Sequence, residues 1–138
     1  MIVSLHAATG AAMGAAVRSP LVAGALGPFL HLAGDRVPHR DIPSRRFEIA
    51  SGVAVVTLLA LRRGVLDPAT VGALATAAPD VEHVIRLPRP GGSKLFHDRR
   101  GWHRSGGIAA STQLLLAGII VGWLWHPRRP AAKPAGAC

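Results

Sequence analysis

A chain of 138 residues is the size of one domain, enough to bury a core and too short for two. Hydrophobic residues supply 49% of it and charged residues 17%, below the quarter usual in soluble domains, which argues against a surface bathed wholly in water. The only cysteine is Cys138, which excludes a disulfide framework and a thiolate zinc cluster, and the net charge of +9 leaves anionic partners open until the positions of the basic residues are considered.

Pro, Gly and Arg divide the chain into five apolar stretches, at about 2 to 17, 20 to 37, 47 to 61, 68 to 86 and 106 to 125, and each reads as a helix. The first has no basic residue ahead of its apolar part and carries His6 inside it, so it is expected to stay in the mature fold. Ser19-Pro20 and Asp67-Pro68 each place a capping side chain before a proline at the first helical position, where a missing N–H costs nothing. Ser44 is a candidate cap for the third helix, with Glu48 in its first turn, and Ser105 for the fifth. No stretch alternates polar and apolar residues over a strand's length, so the expected fold class is all-α, a compact bundle of about five helices. Residues 1–126 form that bundle, and 127–138 a basic, Pro/Ala-rich tail expected to be disordered.

The fifth stretch, Gly106 to Trp125, has twenty residues without a charge, the length that spans the hydrocarbon layer. It marks the bundle as membrane-embedded, with the shorter stretches crossing if their polar residues face inward. Gly10 with Gly14, and Gly118 with Gly122, have the spacing that lets helices approach closely. The alternative is a soluble bundle rich in Ala and Gly, which a mean hydropathy of +0.32 permits.

Short connections make the helices alternate in direction. One end then collects the start of helix one, the ends of helices two and four, the loop from Leu87 to Arg104 and the start of helix five. Six of the seven histidines lie there, all but His126. His31 and Asp35 are four apart and share a helical face. Pro38 ends that helix and leaves His39 and Asp41 on the turn beyond. Asp80 and His83, three apart, share a face from which Glu82 points away unless Pro79 distorts the turn. The loop adds His97, Asp98 and His103. Imidazole and carboxylate donors suit a divalent metal, zinc first, then manganese or iron. The duller reading makes these residues helix caps and surface ion pairs, Asp35 with Arg36 or Arg40 and Glu82 with Arg86.

Four runs come in a particular order: His6 followed by small residues, His31-Leu32-Ala33-Gly34-Asp35-Arg36-Val37-Pro38-His39-Arg40-Asp41, Pro79-Asp80-Val81-Glu82-His83, and Arg100-Gly101-Trp102-His103-Arg104-Ser105. Together they resemble the bacterial inner-membrane metal-dependent hydrolases, a group distantly similar to the helical zinc-dependent phospholipase C and P1 nuclease fold. The resemblance runs to about Trp125 and implies a metal-facing set of His6, His31, Asp35, Asp80, His83 and His103, joined by His39, Asp41 and Ser105. In that group the last motif reads His directly followed by Ser; here Arg104 intervenes.

The expected function is a membrane metal-dependent hydrolase that turns metal-activated water on a phosphoester such as a lipid headgroup, with Glu82 or Asp98 as general base. The competing reading is a non-catalytic membrane protein in which the cluster holds metal for structure, sensing or transport. Nucleic acid is not an expected partner, because the basic residues punctuate helix ends instead of clustering with aromatics. Ten of the sixteen basic residues fall at the site end, which places that end on the cytoplasmic side of the inner membrane by the positive-inside tendency, with membrane lipid as the partner.

Overall fold

The computed structural model describes residues 1–85 and 106–126. Five α-helices follow in chain order: α1 (Val3–Val17), α2 (Pro20–Asp35), α3 (Arg45–Arg63), α4 (Pro68–Ala77) and α5 (Ala110–Trp125), with a 3-10 helix, Ala78–His83, continuing from α4. Among the described residues there is no sheet, only an isolated bridge between His39 and Ile108. His97, Asp98, His103, Ser105 and the 127–138 tail lie outside the described residues.

The helix starts follow their capping residues. Ser19 accepts from the Val22 amide, Ser44 from Phe47 and Asp67 from Ala69, each satisfying a first-turn N–H that has no helical partner. Two boundaries differ from expectation by more than one helical turn. The fourth helix stops being α-helical at Ala77, because Pro79 lacks the donor that would continue the ladder, and the chain tightens into 3-10 geometry. The fifth begins at Ala110, not Gly106, and Ala109 stands at its cap. Gly106 and Gly107 have φ of 105° and 72°, the left-handed region that a right-handed helix cannot contain. Its 16 residues rise about 24 Å, short of a hydrocarbon layer roughly 30 Å thick. No described helix is long and apolar enough to cross a membrane.

Central α1 packs against the other four helices, and α4 lies between α1, α2 and α3. The core is built from small side chains. Ala7, Ala11, Ala15, Ala69 and Ala73 surround Leu59 and Leu124, while Ile2, Leu5, Ala8 and Ala117 form a second cluster nearer the N-terminus. A Cβ on Gly10 would fall 2.3 Å from the Gly72 carbonyl oxygen, and one on Gly14 1.9 Å from that of Pro68, so α1 and α4 touch backbone to backbone. The close approach expected of the first glycine pair is therefore present. Among the described residues, Gly118 and Gly122 meet nothing within 4 Å and make no such contact. Gly10 meeting Gly72, and Gly14 meeting Pro68, also make α1 and α4 antiparallel, and the alternating directions bring the start of α1 and the ends of α2 and α4 to one end.

Candidate metal centre

His6, one turn into α1, is fully buried. Its ring stacks on that of His31 from α2, centroids 3.9 Å apart and planes 22° from parallel. Gly34 makes room for this, since a Cβ there would come within 3.1 Å of His6 Cε1. Donor atoms of His6, His31 and Asp80 all lie within 4.8 Å of one another, the spread one cation can draw together. Asp35 holds both rings: its Oδ1 accepts from His6 Nε2 at 2.9 Å, and its Oδ2 stands 3.3 Å from His31 Nε2.

The tautomer of His31 follows from its partners. Its Nδ1 is 2.8 Å from the Thr76 carbonyl oxygen, which can only accept, so Nδ1 carries the proton. Its Nε2 faces two carboxylate oxygens, Asp35 Oδ2 at 3.3 Å and Asp80 Oδ1 at 3.8 Å. A cation placed between Nε2 and these carboxylates would be held by the same atoms. An imidazole whose far N–H is held by a backbone carbonyl while its other nitrogen faces carboxylates has the outer-shell support usual for a metal ligand. Burial pushes the His6 imidazole down to about 3, more than its hydrogen bond to Asp35 raises it, so the ring is neutral at physiological pH and needs to lose no proton to ligate. His6 Nδ1 is buried without a hydrogen-bond partner.

His39 and Asp41 stand beside this group. His39 is buried, its Nδ1–H donates to the Val37 carbonyl at 2.6 Å, and its Nε2 lies 3.2 Å from Asp41 Oδ1. The Met1 ammonium bridges the two clusters, donating to Asp35 Oδ1 at 2.7 Å and to His39 Nε2.

The 3-10 helix reorders the Asp80 block. With about three residues per turn, Glu82 is turned inward and buried, whereas His83 is exposed at the rim and does not join the His6, His31 and Asp80 group. Pro79 thus reverses the expected preference between these two side chains.

Two contributors escape a reading by ligand type. Glu48, at the start of α3, reaches the same end; burial first, then the Asp41 and Asp80 charges, push its carboxyl up. Alternating helix directions bring the start of α3 to that end as well, a consequence the ligand types alone do not signal. Gln113, buried in α5, accepts from the Ile2 amide at 3.1 Å and donates to the carbonyls of Arg40 at 2.8 Å and Ile108 at 3.3 Å. It ties the N-terminus, the His39 turn and α5 together, and its signal was an amide side chain inside an uncharged stretch. Replacing Gln113 by Leu leaves the Ile2 N–H and the Arg40 carbonyl without that partner and is expected to lower unfolding free energy by about 2 kcal/mol in denaturant titration. An unchanged midpoint would mean that water replaces the amide and that Gln113 is no strut.

Between α3 and the α4 and 3-10 pair runs a cleft of about 1200 Å³, with Asp35, Asp80 and Glu82 in its wall. Asp80 of the three-donor group therefore borders a space that a substrate can enter, while His6 and His31 lie buried behind it. Comparison with protein-family models, curated proteins and solved structures finds no match to this chain.

Proposed function

We propose that the protein is a metal-dependent hydrolase of phosphoesters working at a lipid surface, as the resemblance to the bacterial inner-membrane metal-dependent hydrolases implies. The observation that carries this reading is the convergence of His6, His31 and Asp80 in the interior beside an open cleft. His6, His31 and Asp80 would hold a divalent cation, zinc before manganese or iron, which would supply water activation and charge neutralisation on phosphate. Asp35 orients His6, and the Thr76 carbonyl orients His31. Glu82, in the cleft wall near Asp80, takes a proton from the attacking water; the water oxygen bonds to phosphorus as the ester P–O bond breaks, and Glu82 returns that proton to the departing oxygen. Arg45, also in that wall, pairs with a phosphate oxygen.

Contact with lipid is supported by the distribution of apolar side chains. Leu21 is 84% exposed, Leu61 80% and Phe29 71%, while the core is mostly Ala and Gly. Large apolar groups outside and small ones inside suit a protein whose outer faces meet hydrocarbon. In this reading the site end faces the cytoplasm.

The test is elemental analysis of the purified protein followed by hydrolysis of bis(p-nitrophenyl) phosphate. Stoichiometric metal is expected, with turnover that chelation abolishes and Glu82→Gln lowers at least about 100-fold while metal content holds. Absence of metal after reconstitution with zinc, manganese and iron, or turnover indifferent to Glu82→Gln, would overturn the reading.

A further inference from the structure

The cleft between α3 and α4 is graded in charge along its length: its charged side chains are confined to the Asp80 end, where Val3, Val81 and Val84 also stand, and the other end is uncharged. On α3 its wall is formed by Arg45, Glu48, Ile49, Gly52, Val53 and Val56, a recurrence of three and four residues that defines one stripe. The charged members sit at the start of the helix and the apolar ones follow. Opposite them, Val71, Leu74 and Ala75 of α4 form the apolar wall, and Asp80 and Glu82 of the 3-10 helix the polar one. The two gradients point the same way, because the start of α3 and the 3-10 helix after α4 lie at the same end of the bundle and wall the same cleft. From Ile49 to Thr57 the apolar part extends about 12 Å along α3. Val53 and Leu74 are 59% and 49% exposed, so two large apolar side chains from opposite walls face an open space.

We propose, building on the hydrolase reading, that this cleft takes the hydrocarbon chain of a single-chain phosphate amphiphile, its phosphate at the Asp80 end and its chain along α3 towards Thr57. A purely polar phosphoester would leave the apolar part wet. A second copy or a helical partner would need an apolar face along the whole groove, whereas one end here is lined by Asp35, Asp41, Glu48, Asp80 and Glu82. Those carboxylates repel an anionic head unless a divalent cation and Arg45 offset them, so head recognition is coupled to the metal while chain recognition is not.

Decyl phosphate carrying a terminal diazirine is photolysed on zinc-loaded protein and its adducts are mapped by mass spectrometry. Adducts are expected on Val53, Val56, Thr57, Val71 and Leu74, falling at least tenfold in Val53→Trp and in Leu74→Trp, which fill the space from opposite walls. Adducts on Leu21, Phe29, Leu115 and Ile119 report contact with the outer surface and persist in both variants. Zinc content and helicity equal to wild type separate a filled cleft from an unfolded chain. Labelling confined to the outer faces, or cleft adducts that survive in both folded variants, would overturn the proposal. Turnover of bis(p-nitrophenyl) phosphate by the wild type, a substrate with no chain, judges the hydrolase reading separately: cleft labelling without turnover sinks that reading and leaves the chain site standing.

Discussion

In His31→Ala the rise in melting temperature that zinc gives the wild type disappears. A ligand present at one hundred times its dissociation constant stabilises the folded state by about 2.7 kcal/mol, or roughly 10 °C for a chain this long. The whole of that increment depends on donors that converge only when α1, α2 and the 3-10 helix are assembled, because the unfolded chain holds His6, His31 and Asp80 far apart. His31 is the most exacting of the three positions. It offers Nε2 to the carboxylates while Thr76 holds its Nδ1, and no other side chain on α2 stacks on His6. His126→Ala, at the opposite end of the bundle and exposed, is the matched control and keeps the full zinc shift. Differential scanning fluorimetry across a zinc titration makes the comparison. An equal shift in both variants would place the zinc elsewhere and remove the basis for the proposed chemistry.

What the sequence made legible was the pairing of residues within one element. The four-residue interval of His31 and Asp35 put both on one face, and the structure has their side chains 3.3 Å apart. Alternation of helix direction brought His6 and Asp80 to the same end without any knowledge of distances. Less legible was everything that depended on how a helix ends. Pro79 stood in plain view, yet whether it kinks, breaks or tightens a helix depends on packing around it, and the 3-10 outcome interchanged the environments of Glu82 and His83. Gly106 and Gly107 similarly shortened the apparent span, since a run of uncharged residues sets an upper limit on helix length and not the length itself. The cleft was beyond reach from sequence, because it exists only where α3 and α4 stand apart, and periodicity describes which face a helix buries, not how far away its neighbour is.

The glycines of α1 carry the second large effect. Gly14→Val is expected to cost more than about 3 kcal/mol of unfolding free energy or to abolish folding, against less than about 1 kcal/mol for Gly118→Val. A Cβ at 14 would overlap the Pro68 carbonyl at 1.9 Å and approach its carbon at 2.6 Å, and both atoms are backbone, so no rotamer change relieves the clash. Relief requires α4 to withdraw from α1. That movement carries Thr76 with it, and the Thr76 carbonyl is the group that fixes the His31 ring. The same displacement draws Asp80, about three turns of chain beyond the contact, away from His6. Any Gly14→Val protein that does fold should therefore bind zinc at least about tenfold more weakly, because the variant disturbs outer-shell support without touching a ligand. Gly118 has the same chemistry and helical setting but, among the described residues, meets nothing within 4 Å. Denaturant unfolding and zinc titration on the two variants decide the matter. Comparable losses in both would show that helix propensity governs the effect, and that the backbone contact between α1 and α4 is not what holds the metal-binding end in shape.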